Sequence, residues 1–132
     1  MITTLRKTVS KHDVNQVKED AMEGKCVVLD LVGDEKYVYA YNDAVRLERK
    51  EAEVLGYLMD HVMISCSKHS IEQAIWYDRP VGNSAVKRYI ASLRRKLDQA
   101  MGRDDIAENI LVTTEEGYAW KADIPSIVLR NG

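Results

Sequence analysis

The sequence predicts an α+β domain, and three observations carry that prediction. Short strand-like segments come first, three segments with helical apolar periodicity follow, and a final strand pair closes the pattern. The third helical segment is also strongly basic. The 132 residues hold 19 Lys and Arg against 21 Asp and Glu. Ser84–Leu97 contains five of those cations, Lys87, Arg88, Arg94, Arg95 and Lys96, and no acid. Without that segment the balance is 14 against 21, so positive charge is concentrated on one stretch of an otherwise acidic chain. A phosphate backbone is the polyanion such a stretch attracts.

Residues 1–25 read as an N-terminal arm or short helix. Val14, Val17 and Ala21 have helical spacing, Gly24 supplies an end, and Arg6, Lys7 and Lys11 make the start basic. Cys26–Val32 is nearly all apolar and strand-like, and Gly33-Asp34 is a turn signal. Lys36–Tyr41 alternates, placing Tyr37, Tyr39 and Tyr41 on one face. Such a row is expected to be a half-buried sheet face packed on a helix, ahead of a platform for stacking bases. Asn42-Asp43 is a second turn signal, before a strand at Ala44–Leu47.

The first of the three helices is predicted from Glu48 to about Asp60, with Ala52, Leu55, Leu58, Met59 and Val62 on its apolar face. Glu48, Glu51 and Glu53 suit the positive end of its dipole. Ser67 is a suitable N-cap for the second, whose stripe is Ile71, Ala74 and Ile75 and which ends near Trp76-Tyr77. Residues 78–83, with Pro80 and Gly82, form a loop. Ile110–Thr114 and Tyr118–Ala122 read as two strands joined around Glu115-Glu116-Gly117. These elements set a main domain at 26–124, with 125–132 as a C-terminal tail.

In the basic helix Val86, Ile90, Leu93 and Leu97 lie 4, 3 and 4 residues apart, one stripe of a 3.6-residue period. Ser84, Arg88, Ala91, Ser92 and Arg95 point the other way. Tyr89 and Lys96 lie on one flank, Lys87 and Arg94 on the other. Asn83 or Ser84 can cap the helix. Lys87 sits in the first turn, where the dipole disfavours a cation; a bound phosphate would make that placement favourable.

Composition narrows the function classes. One domain of this length can build a single core, and no apolar run approaches the ~20 residues of a membrane span. Cys26 and Cys66 are the only cysteines, too few for a disulfide framework, which fits a reducing cytoplasm. Ser65-Cys66-Ser67-Lys68 has the Ser-x-x-Lys spacing of some acyl-transfer enzymes but no companion motif. His61, Cys66 and His69 would leave a zinc ion short of a fourth ligand. No catalytic residue, cofactor or metal site is expected.

Strands, three helices and a terminal hairpin are the layout of a winged helix-turn-helix. Within it, Leu47-Glu48-Arg49-Lys50-Glu51 with Val54-Leu55 and Leu58 resembles the first helix of the OmpR/PhoB-type effector domain. Ile71-x-x-x-Ile75-Trp76 is similar to that family's second helix, and Val86–Leu97 to its recognition helix. Ile110 to Gly117-Tyr118 is similar to its wing hairpin, so the resemblance covers roughly Val27 to Ala122. It implies an N-terminal antiparallel sheet and sequence-dependent binding of double-stranded DNA by a nucleoid-associated regulator. The recognition helix would enter the major groove. Arg88 is the best-placed residue for a base edge, most naturally a guanine. Ser84, Tyr89, Ser92 and Lys96 would add bonds to bases or phosphates, and Lys87, Arg94 and Arg95 would meet the backbone, with Arg94 in part paired inside the protein as the alternative. Thr114, counted with the DNA-binding residues, stands where the family's wing carries a basic residue, and Glu115 and Glu116 follow it, so the wing is expected to be a poor partner for phosphate. Tyr77, Asp78 and Arg79 map onto a loop that touches RNA polymerase in activators of this type. A homodimer on paired half-sites is expected, with no membrane partner. Twenty-five leading residues are too few for the receiver domain of most relatives, so control by aspartate phosphorylation is not expected. The alternative is a protein-interaction module whose acidic wing engages another regulator or polymerase without gripping DNA.

Overall fold

The computed structural model describes residues 4–5, 11–77 and 83–130. In chain order the elements are β1 (Thr4–Leu5), α1 (Lys11–Met22), β2 (Val27–Asp30), β3 (Lys36–Tyr39) and β4 (Ala44–Leu47). Then come α2 (Arg49–Asp60), β5 (Cys66–Ser67), α3 (Lys68–Ile75) and α4 (Asn83–Met101). A short 3-10 turn at Ala107–Asn109 leads to β6 (Leu111–Thr113), β7 (Gly117–Trp120) and β8 (Ser126–Leu129). This is the expected α+β winged helix-turn-helix, with α1 as a fourth helix. The basic arm at residues 6–10 lies outside the described residues.

The larger sheet has strand order β1-β8-β2-β3-β4. β2, β3 and β4 form the expected antiparallel meander, but β8 lies parallel between β1 and β2. Residues 126–129, read from sequence as part of a tail, are therefore an interior strand of the sheet. Val128 and Leu129 are buried, and the Trp120 indole N–H donates to the buried Ser126 hydroxyl at 2.7 Å. Past β8, Arg130 reaches Asp60 at the end of α2 with two hydrogen bonds of 3.1 and 3.0 Å. The partner of this run is a strand about a hundred residues earlier. Nothing local marks such a pairing.

β2 explains the apolar run at its centre. Val27 and Leu29 belong to the main core, whereas Val28 packs with Ala21 of α1, Cys26 and Leu129 in a smaller one. A strand covered on both faces reads as a continuous apolar run rather than an alternating one. α1 is held by the Lys18 ammonium, 2.8 Å from the Asp30 carboxylate and 4.9 Å from the Tyr39 ring centre. Tyr39 is thus part of the seat of α1, and Tyr37 lies 6.2 Å from it. Tyr41 is exposed and outside β3.

The main core joins α2, α3 and α4. Val54, Leu55 and Leu58 meet Ile71, Ile75 and all four stripe residues of α4. Val86, Ile90, Leu93 and Leu97 are each at most 1% exposed. Ser67 caps α3 as expected, its hydroxyl accepting from the Ser70 N–H at 3.0 Å, but Ala74 faces solvent. α4 runs four residues past the expected end at Leu97. Gly102 then stops it in the left-handed conformation (φ +68°), against the Asn42 side chain. The Asn42 and Asp43 N–H groups both donate to Ala100 O, at 2.8 and 2.9 Å.

A role for β8 in the core has a measurable consequence. Leu129→Ala is expected to lower the free energy of unfolding by about 2–4 kcal/mol in urea titration. A dispensable tail would leave it unchanged.

Candidate nucleic-acid interface

The four aliphatic side chains of α4 fix which of its faces looks outward. With them buried, Ser84, Lys87, Arg88, Ala91 and Arg95 are exposed along a 19-residue helix. Such a helix is about 28 Å long at 1.5 Å per residue. Among the described residues, the side chains of Lys87, Arg88 and Arg95 take part in no hydrogen bond or ion pair. Arg88 stands at the edge of a recess of about 180 Å³ that it shares with Glu48, Glu51, Tyr89 and Ser92.

Other residues expected at this surface are bound within the protein. Glu51 is only 1% exposed, yet its carboxylate has three donors. Lys96 Nζ reaches Oε1 at 2.5 Å, the Glu48 N–H reaches the same oxygen at 2.8 Å, and the Ser92 hydroxyl donates to Oε2. Ser92 and Lys96 are therefore half-buried anchors of α4 on α2, and the outward position given to Ser92 by helical spacing is corrected. The wheel places it on the polar side, but the N-terminal turn of α2 approaches there. Burial by itself would raise the Glu51 pKa; the bonds from Lys96, Ser92 and the Glu48 N–H, with the Lys96 charge, more than reverse this and hold it below the ordinary value.

Arg94 belongs to the wing. Its Nε and Nη2 donate to Leu111 O at 3.0 and 2.7 Å, and Nη2 also to Thr113 Oγ1 at 3.0 Å. Its guanidinium lies 5.8 Å from the Tyr118 ring centre. The Tyr89 ring packs on buried Trp76 at 5.4 Å. Thr114 closes the wing turn: its hydroxyl accepts from the Gly117 N–H at 3.0 Å and lies 2.6 Å from Ser65 Oγ. Glu115 and Glu116 are exposed at the tip.

Gly117 shows why the wing needs a glycine before Tyr118. β5 pairs with β7 there, and a Cβ on Gly117 would come within 2.1 Å of Cys66 O. Only a residue without a side chain lets the two backbones approach this closely. Tyr77, which follows α3 and Trp76, is 85% exposed. Asp78 and Arg79 lie outside the described residues, as does any cap preceding Asn83.

The remaining chemical motifs have structural partners. Ser65 is the partner of Thr114, and the buried Cys66 thiol donates weakly to Ile64 O at 3.6 Å. His61 Nδ1 lies 2.7 Å from Tyr57 O, while His69 is exposed. The residue that sequence reasoning undervalued is Glu51. It lies 4 residues before Leu55 and 7 before Leu58. That periodicity places an acid on an apolar face and marks it as buried.

A family model described as "Transcriptional regulatory protein, C terminal" matches residues 42–120. The chain belongs to this family. It carries the OmpR/PhoB-type effector domain, a non-enzymatic DNA-binding domain of transcription regulators. The match begins at the turn before β4 and ends with β7, so α1 and β8 lie outside it.

Solved structures share the fold. Mycobacterium tuberculosis EmbR, in complex with a low-affinity phosphopeptide, is 20% identical with a TM-score of 0.60; the match covers 73% of this chain and 25% of that one. The E. coli CadC DNA-binding domain is 20% identical with a TM-score of 0.56, covering 67% and 87%. The AdeR DNA-binding domain, in complex with an intercistronic region, is 16% identical with a TM-score of 0.54, covering 64% and 84%. This chain thus spans about a quarter of the EmbR chain and most of the two isolated domains. No curated protein sequence matches significantly. Among the described residues no helix is long and apolar enough to cross a membrane.

The Glu51 cluster makes stability depend on pH. Its folded pKa is depressed, so its contribution is present above the unfolded pKa and lost as pH falls through the folded value. Glu51→Gln is expected to cost about 2 kcal/mol near neutral pH. This is less than the ~3–5 kcal/mol for breaking a fully buried pair, because the Lys96 side chain is 27% exposed. The gap from the unmodified protein should narrow below about pH 4. Urea unfolding across pH checks this; a gap independent of pH would contradict it.

Proposed function

We propose that this domain binds double-stranded DNA in a sequence-dependent manner, with α4 in the major groove. One observation carries the reading. Lys87, Arg88 and Arg95 project from the exposed face of a helix whose opposite stripe is buried, and no acid among the described residues pairs with them. A desolvated helix back with a free cationic front is what groove insertion requires. In this reading Arg88 contacts a base edge, Lys87 and Arg95 contact phosphates, and Ser84 adds a hydrogen bond at the helix start. Ser92, Arg94 and Lys96 fix the attitude of the helix, Tyr89 packs behind it, and Thr114 shapes the wing. The family membership and the AdeR complex with an intercistronic region support DNA as the partner. The regulator acts in the cytoplasm on the nucleoid, as a homodimer on paired half-sites, with exposed Tyr77, together with Asp78 and Arg79, contacting RNA polymerase.

Fluorescence anisotropy with genomic fragments across a salt series tests this. Three free cations give a log–log salt slope of roughly −2 to −3 per domain, smaller than the roughly −3 to −5 that five would give. Arg88→Ala is expected to cost about 1–3 kcal/mol on the specific site and to relax one base position. Lys87→Ala should weaken all sequences alike and reduce the slope by about one. The exposed carboxylates of Glu115 and Glu116 favour a second reading, a module that binds protein through its wing. Absence of DNA binding at every salt concentration, with a regulator or polymerase subunit bound instead, would replace the first reading with the second.

A further inference from the structure

A cavity of about 480 Å³ opens beside the C-terminal end of α4, and none of the exposed cations of the DNA-facing surface lines it. Its accessible apolar wall is formed by the half-buried side chains of Met101, Ile106, Ile110 and Ile124, with Val27, Ala40 and Ala122 fully buried behind them. Its size falls in the range of small-molecule sites. The backbone that frames the space is pinned by hydrogen bonds. The Asn42 and Asp43 N–H groups hold Ala100 O, the Val27 N–H holds Pro125 O at 2.9 Å, and the Lys121 N–H holds Ile110 O at 2.6 Å. These bonds oppose collapse of the wall onto the void.

Charges stand at its mouth. Glu23 is neutralised by Lys25 at 2.8 Å. The side chains of Arg103 and Asp123 are exposed and, among the described residues, have no hydrogen bond or ion pair. The rim thus offers one free cation and one free anion above an apolar interior. The complement is a molecule with an apolar body and a head group bearing both charges. We propose that this cavity binds a free apolar α-amino acid, side chain inward, carboxylate toward Arg103 and ammonium toward Asp123. The site is separate from the DNA-facing surface, and Met101, the last residue of α4, forms part of its wall.

The test is an NMR titration of the full chain with L-phenylalanine and L-leucine at millimolar concentrations, without DNA. Saturable amide shifts are expected at residues 26–27, 40–41, 101–106 and 122–124. Arg103→Ala and Asp123→Ala, both at exposed positions that leave the core intact, should each weaken binding up to about fivefold, the scale of an exposed ion pair. Octanoate and hexylamine, each with one of the two charges, should bind more weakly than the amino acids. Shifts that fail to saturate, shifts elsewhere on the domain, unchanged affinity in both variants, or octanoate binding as tightly as phenylalanine would each overturn the proposal.

Discussion

The carboxylate of Glu51 is the point on which the geometry of the cationic α4 face rests. It lies in the first turn of α2, accepts from the Glu48 N–H, and takes hydrogen bonds from Ser92 and Lys96 on successive turns of α4. A buried acid with too few donors would be strongly destabilising. Here every requirement is met, so the group acts as a directional bolt between two helices that otherwise meet through aliphatic contacts. Apolar packing sets how close α4 lies to the core. The bolt sets its rotation, and hence the face on which Lys87, Arg88 and Arg95 emerge.

The wing is tied to the same helix by a second polar link. Arg94 spends its guanidinium on the carbonyl of Leu111 and the hydroxyl of Thr113, and the close β5–β7 approach at Gly117 fixes the hairpin from its other edge. α4 and the β6–β7 hairpin are thereby linked directly by hydrogen bonds. The basic run of α4 thus divides its labour: Arg94 and Lys96 build the platform, while the remaining cations are left for a partner. A charge count along the sequence cannot make that division, because paired and free cations look alike in one dimension.

Outside the matched family segment, α1 and β8 complete the scaffold. β8 enters the sheet beside β2, and α1 covers the outer face through Ala21, Val28 and Leu129 with the Lys18–Asp30 pair. The sheet is therefore sandwiched, and the connection from β7 into β8 forms one wall of the apolar cavity at the end of α4.

The sequence by itself determined the local elements. Periodicity gave α2, α3 and the buried stripe of α4, turn residues separated β2, β3 and β4, and Ser67 marked a helix start, because each signal depends on neighbours within a turn or two. The all-apolar run at Cys26–Val32 carried news of two-sided burial without saying what covers it. Tertiary structure alone decided that Ser126–Leu129 is an interior strand, that Ser92 turns to Glu51, and that Arg94 serves the wing. Those outcomes depend on groups 17 to about 100 residues away. The pairing of a carboxylate or a strand edge over such distances is chosen by the packed core, which brings the partners together and removes the water that would otherwise satisfy them.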